Sequence, residues 1–216
     1  MNKEDIIAFF DRAAARWDAE LIKNDAVIGK ILDHAGIRAG QHVLDVACGT
    51  GVLIPYYLDR GVAAVTAVDI SPEMTKIARE KFSQANVEIL CGDIEALALP
   101  EQFDAVMVYN AFPHFPDPER LIAALAAMLK PGGTLTVAHG MSRAHIDAHH
   151  QGKASKVSKG LLHEDDLAAL MAKHLQITTK LSDETMYQVT GELRIENSLC
   201  TLVGTGVPDG PPCRGD

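Results

Sequence analysis

Residues Val43 to Gly51 read VLDVACGTG: an apolar run, an aspartate, then two glycines one residue apart, before helix-forming sequence. That order predicts a buried strand turning sharply into a helix, with the backbone bare at the turn. Glycine tolerates dihedrals closed to other residues and has no side chain to obstruct a ligand, so such turns receive nucleotides. A dinucleotide fingerprint needs a further glycine three residues after the second, where helix and strand close beside a pyrophosphate. Here Ile54 stands in that place and Pro55 follows. The next apolar run ends in Asp69, 18 residues beyond Gly51, where a carboxylate can accept hydrogen bonds from both ribose hydroxyls. After the third run, CGDIEALALP puts Asp93 just past a strand end, able to accept from an adenine amino group while Ile94 packs on the ring. One sheet edge therefore offers a backbone turn, a ribose acceptor and an adenine acceptor, and little to hold a diphosphate.

Histidine is the second concentration of chemistry. His139 ends a predicted strand, over the same edge, and Arg143, His145, His149 and His150 follow closely. If 142–150 is a helix with Ser142 as N-cap, His145 and His149 share a face at a spacing that can chelate a metal, with Asp147 too far round to join. The bland reading, solvated helix positions or cleft lining, is favoured, and no metal site is assigned. Arg143 presents a planar fork suited to a carboxylate or phosphate.

The elements that must position these residues alternate. Residues 5–34 have the apolar spacing of one or two amphipathic helices, with Ile6, Phe9, Phe10, Ala13 and Trp17 recurring. Strands are predicted near 42–47, 64–69, 87–91, 104–109 and 134–139, with two more near 175–181 and 185–190. Helices fall between them: one to about Arg60, one opened by Ser71 as N-cap and Pro72, one over 117–130 ended by KPGG, and one over 163–174. Such alternation is the pattern of a mostly parallel sheet wrapped by helices, with ligands outside the carboxyl ends of its strands. The 216 residues suffice for one domain, expected over 1–203 with an N-terminal helical cap (about 1–38) and a Gly- and Pro-rich tail at 204–216 that is expected to be flexible. A net charge of −9 argues against a large nucleic-acid surface, though not against a small basic cleft, and a single tryptophan offers no aromatic stacking platform. Cys48, Cys91, Cys200 and Cys213 form no CxxC pair and read as reduced thiols. No signal-peptide core or membrane-length apolar run is visible, so the expected compartment is the cytoplasm.

Taken in order, VLDVACGTG (43–51), VDISPEM (68–74), GDIEALALP (92–100), the stretch from Phe103 to His139 and the amphipathic FFDRAAARWD (9–18) resemble class I S-adenosylmethionine-dependent methyltransferases of the small-molecule type. The resemblance covers about residues 9–180. It implies a Rossmann-like, doubly wound α/β fold with a seven-stranded sheet, mostly parallel with an antiparallel last strand, and helices on both faces. It implies S-adenosylmethionine as cofactor: Gly49 and Gly51 at the methionine part, Asp45 supporting the turn and the amino group, Asp69 at the ribose, and Asp93 and Ile94 at the adenine. Ala47, Ile70, Met74, Asn110 and Trp17 complete the expected cofactor set. Ala47 stands where the usual DLGCGTG has glycine, a small-for-small departure.

By the same analogy the loop from Tyr109 to Phe115 borders both sulfonium and acceptor. It is not the NPPY type associated with amide or adenine methylation in nucleic acids. Tyr109, His114 and His139 are then the candidate catalytic residues, and Arg143, His145 and His149 the candidate acceptor contacts. In-line displacement needs mainly alignment, worth up to roughly 7–11 kcal/mol, and a base only if the nucleophile arrives protonated. The expected activity is methyl transfer to a small-molecule acceptor, by a monomer or homodimer that binds neither nucleic acid nor membrane. The rival readings are a NAD-type oxidoreductase, a non-catalytic S-adenosylmethionine-binding module, and a metal-assisted variant using His145 and His149.

Overall fold

The computed structural model describes residues 2–99, 102–150 and 157–195, the side chains of 147–150 excepted. The expected tail at 204–216, Cys200 and Cys213 lie outside the described residues. Strand β1 (His42–Val46) is central, flanked by β2 (Ala64–Asp69) and β3 (Val87–Cys91) on one side and by β4 (Phe103–Tyr109) and β5 (Leu129–His139) on the other. The remaining strands are β6 (Gln176–Ser182) and β7 (Tyr187–Glu192), giving the order β3-β2-β1-β4-β5-β7-β6. The first five strands pair in parallel, and β7 runs antiparallel between β5 and β6. This is the seven-stranded, mostly parallel sheet that the resemblance implies.

Helices pack against the sheet between most strands, but among the described residues none lies between β3 and β4. Helix α1 (Lys3–Glu20) and α2 (Asp25–His34) precede β1; α3 (Ile54–Asp59), α4 (Pro72–Lys81), α5 (Pro118–Ala127), α6 (Arg143–His150) and α7 (Glu164–Met171) follow in turn. The core divides by sheet face. One face packs Val106, Val108, Leu121, Leu125, Val137 and Leu167; the other packs Ile28, Ile31, Val43, Ile54, Tyr57 and Met107. Strict alternation along β4 and β5 produces this division, since neighbouring residues of a strand point to opposite faces. Among the described residues no helix is long and apolar enough to cross a membrane.

Local chemistry sets the boundaries. Ser71 caps α4, its hydroxyl accepting from the Met74 amide at 3.2 Å, with Pro72 following. Asp117 caps α5 through the Arg120 amide at 3.1 Å. The KPGG signal acts differently from expectation. Helix α5 ends at Ala127, and Leu129 already pairs with Phe103. KPGG is an excursion inside β5: pairing resumes at Thr134 with Ala105, and Gly132 takes φ 78°. A Cβ on Gly133 would lie 2.9 Å from the carbonyl oxygens of both Lys130 and Phe103, so the backbones approach as only glycine permits.

Gly51 is a second position where the fold favours glycine. Its φ is 85°, and a Cβ there would sit 2.6 Å from Phe82 Cε2 and 2.8 Å from Ile54 Cδ1. Gly51→Ala combines left-handed strain with overpacking and should cost roughly 2–4 kcal/mol in urea denaturation.

Candidate active site

The carboxyl ends of β1, β2, β3 and β4 converge on one cleft. Its floor starts at the turn after β1, where Ala47 (φ 54°) and Gly49 (φ 56°) both take left-handed dihedrals. Alanine there carries strain of about 1–2 kcal/mol, which glycine would avoid. Gly49 faces open space: an added Cβ would meet only Trp17 Nε1, at 3.7 Å. Both residues line the cleft, whereas Gly51 turns away onto Phe82 and Ile54.

Asp69 holds the turn in place. One carboxylate oxygen accepts from the Gly49 amide at 2.8 Å and the other from the Ser71 amide at 2.9 Å. Its side chain lines the cleft although the residue is only 8% exposed. Burial pushes its carboxyl above the usual range, while the Ser71 and Gly49 amides pull it down. Each oxygen keeps a lone pair for a hydroxyl on the cleft side. Ile70, Met74 and Ile94 add apolar wall, and Asp93 lies at the far end.

Behind the turn sits Asp45, 2% exposed and not among the lining residues. Neither its Oδ2 nor the buried Tyr57 hydroxyl beside it makes a well-formed hydrogen bond among the described residues. Burial, aided by the charge of Asp69 and opposed by Tyr57, pushes the Asp45 carboxyl up to about 8. A buried carboxyl with an unsatisfied oxygen behind a glycine turn suits a cationic ligand group close by.

Tyr109 and Asn110 form the β4 side. Asn110 has φ 55°, a conformation asparagine tolerates better than most residues. Its side-chain oxygen accepts from the Gly140 amide at 3.0 Å, tying the end of β4 to the end of β5. Burial raises the Tyr109 hydroxyl to about 12, which keeps it a neutral donor at physiological pH. His114 ends a 3₁₀ turn (Phe112–His114) and lines the cleft. Its Nδ1 lies 2.7 Å from the Val157 carbonyl oxygen and donates to it, so the neutral ring carries its lone pair on Nε2.

The cleft is roofed by α1. Lys3, Ile6, Phe10 and Trp17 all line it, at helical spacings of 3, 4 and 7 that put them on one face. Phe10 stacks edge-on with His114 at 5.0 Å and with Trp17 at 5.6 Å. Polar latches flank this face: Asp11 accepts from the Ser71 hydroxyl at 2.5 Å, and Asp18 binds Lys81 at 2.8 Å and the Thr50 hydroxyl.

The structure thus gathers Trp17, Ala47, Gly49, Asp69, Ile70, Met74, Asp93, Ile94, Tyr109, Asn110 and His114 around one cleft. It does not bring His139 there. His139 shares the sheet face of Val137, is 3% exposed, and packs edge-on against Tyr187 at 6.1 Å. Arg143 and His145 sit at the start of α6, also away from the lining residues, with Ser142 accepting from the His145 amide at 3.3 Å. The His149 side chain lies outside the described residues. Among those described, no group of three His, Cys, Asp or Glu side chains is arranged to hold a metal. Lys3, Asp11, Asp18 and Glu95 were not singled out from sequence. Only the helical spacing of Lys3 with Ile6 and Phe10 could have flagged it.

The raised Asp45 carboxyl has a measurable consequence. The folded state holds its proton to about pH 8, while the unfolded chain releases it near ~4. Stability is therefore fullest below pH 4 for this group and is lost as pH rises through the folded value. Asp45→Asn should flatten that loss, gaining a few kcal/mol over the parent at pH 9 and much less at pH 5, by urea denaturation.

Residues 44–137 match the family described as "Methyltransferase domain". The malonyl-[acyl-carrier protein] O-methyltransferase of Acetivibrio thermocellus is 34% identical over 138 residues, covering 62% of this chain and 49% of that protein. The ubiquinone biosynthesis O-methyltransferase of Coxiella burnetii is 36% identical over 143 residues, 62% of this chain and 61% of that protein. The chain spans about half to three-fifths of the length of these curated relatives. Among solved structures, the N-methyltransferase NodS of Bradyrhizobium japonicum in complex with S-adenosyl-L-homocysteine superposes with a TM-score of 0.66 at 16% identity, covering 87% of this chain and 97% of that one. Residues 44–137 are thus similar to a methyltransferase domain, and they lie on a seven-stranded sheet whose cleft opens at the strand ends.

Proposed function

We propose that this chain transfers a methyl group from S-adenosylmethionine to a small-molecule acceptor, and that the cleft under α1 is where it does so. The observation that carries this reading is the convergence of an open left-handed turn, Asp69 and Asp93 along three adjacent strand ends. The residues suit the cofactor on their own terms. The turn at Ala47–Gly49 offers bare backbone to the methionine part, with the Asp45 carboxyl behind it toward the ammonium. Asp69 takes the ribose hydroxyls; Asp93 and Ile94 take the adenine. When bound, the cofactor supplies a methyl group already activated by its sulfonium. What the protein adds is alignment, exclusion of water by α1, and handling of a proton.

His114 is the proposed base. Its Nδ1 bond to Val157 aims Nε2 as an acceptor, and Phe10 packs against its ring. Tyr109, held neutral, is a hydrogen-bond donor at the same wall. His139, Arg143, His145 and His149 belong in this proposal to the acceptor side behind the β5 end. The named relatives are O-methyltransferases of an acyl carrier and of ubiquinone biosynthesis, which favours an oxygen acceptor. The NAD reading would need diphosphate-holding groups that the turn does not offer.

Trp17 is the chain's only tryptophan and lines the cleft, so its fluorescence should change on titration with S-adenosylhomocysteine and stay constant with NADH. Asp69→Asn should weaken that binding by roughly tenfold or more, through the lost ribose bonds and a loosened turn. Signal with NADH alone would overturn the assignment. In assays with radiolabelled methyl donor and candidate hydroxylated metabolites, His114→Ala should lower kcat by about 10²–10⁴ with little change in donor affinity. Donor binding without turnover on any acceptor class would favour the binding-module reading.

A further inference from the structure

The adenine end of the cleft holds a cation that the S-adenosylmethionine reading does not use. Lys3, in the first turn of α1, reaches across to the loop after β3. Its ammonium is bound to Asp93 Oδ2 and also to Glu95 Oε2, the latter at 3.0 Å. Glu95 is paired on its other side, with Arg120 Nε 3.2 Å from Oε1. The three side chains differ in exposure: Glu95 5%, Asp93 26% and Lys3 36%. The remaining oxygen of Asp93 accepts from the Glu95 amide at 3.1 Å. Asp93 and Lys3 both line the cleft. The carboxylate assigned to the adenine amino group is therefore already engaged by a donor from the lid.

We infer that Lys3 sets cofactor affinity and purine specificity by competing with the adenine amino group for Asp93, handing that carboxylate over on binding while keeping its own hold on Glu95. This inference rests on the cleft being an S-adenosylmethionine site. The chemistry of the exchange is balanced: one N–H donor, the ammonium, leaves one lone pair, and another, the exocyclic amine, takes it. Glu95 is more deeply buried than Asp93 and is held by a hydrogen bond from Lys3 on one oxygen and an ion pair with Arg120 on the other, so it is the stronger anchor for Lys3. The end of α1 accordingly stays attached while Asp93 is released. A purine bearing a 6-oxo group has an acceptor where adenine has a donor. It would meet the Lys3 ammonium favourably and Asp93 unfavourably, so Lys3 narrows the preference for adenine.

The test is direct binding of S-adenosylhomocysteine and of S-inosylhomocysteine, its 6-oxo counterpart, to the full chain and to Lys3→Met, which keeps an apolar stem of similar length. Lys3→Met should bind S-adenosylhomocysteine roughly two- to fivefold tighter, the range for a part-exposed ion pair, and S-inosylhomocysteine more weakly than the parent does. In an Asp93→Asn background the same substitution should no longer tighten S-adenosylhomocysteine. Thermal melts check that each variant folds, and Lys3→Arg, which keeps the charge, should not show the gain. Equal or weaker binding of S-adenosylhomocysteine by Lys3→Met, with the parent binding normally, overturns the competition and leaves the cofactor reading standing. A parallel loss of both ligands would make Lys3 a plain lid support and overturn it likewise. Failure of every variant, parent included, to bind S-adenosylhomocysteine overturns the cofactor reading and this inference with it.

Discussion

The carboxylate of Asp69 is the interaction on which the site depends. It takes the Gly49 amide with one oxygen and the Ser71 amide with the other, so a single buried group joins the turn after β1 to the start of α4. Ser71 then passes the connection on, because its hydroxyl caps α4 and donates to Asp11 of α1. Turn, helix and lid are coupled through two residues. Burying that carboxylate has an electrostatic cost, which two charge-assisted backbone bonds offset in part. The arrangement places an anion where hydroxyl donors are expected and leaves the nearby turn rigid enough to hold left-handed residues, including Ala47.

What was legible in the sequence follows from how local each signal is. The strand ends at Asp69 and Tyr109, the Ser71 cap and the glycine turn are each encoded within a few residues, and they fall where their local chemistry predicts. KPGG shows the limit of such signals. Its glycines and proline announce a break but not which element is broken. Only the pairing of Leu129 with Phe103 shows that the break lies inside a strand. His139 shows a different limit. A position at a strand end can be read from sequence, but which sheet face its side chain takes depends on register, and Val137 and His139 share the face opposite to the one Ala138 and Tyr109 take. Lys3 was silent because its partners are about 90 residues away in sequence, at Asp93 and Glu95.

The site is unequal in its two halves. At the β1 and β2 ends, left-handed backbone and the two Asp69 hydrogen bonds fix the turn. At the β4 end, the wall is a 3₁₀ turn whose His114 and Pro113 meet the segment from Val157. Loops on a rigid scaffold are where specificity is varied most cheaply, since they can change without disturbing the sheet.

Strand β7 enters the sheet between two neighbours that precede it in the chain. Its pairing with β5 joins His139 to Tyr187, and with β6 joins Ser182 to the same residue. No part of the acceptor edge can therefore close until residues near 190 are available. The parallel half of the sheet, from β1 to β5, is complete in the chain at His139, before any residue of β7 has been made. Synthesis from the N-terminus therefore supplies β1 to β5 first and the edge partner of β5 last, although the β1–β4 pairing spans more sequence than the β5–β7 pairing. During synthesis the nascent chain would hold a nearly formed donor turn while β5 still exposes an unpaired edge, which makes that edge the point at which this protein is most open to misassociation.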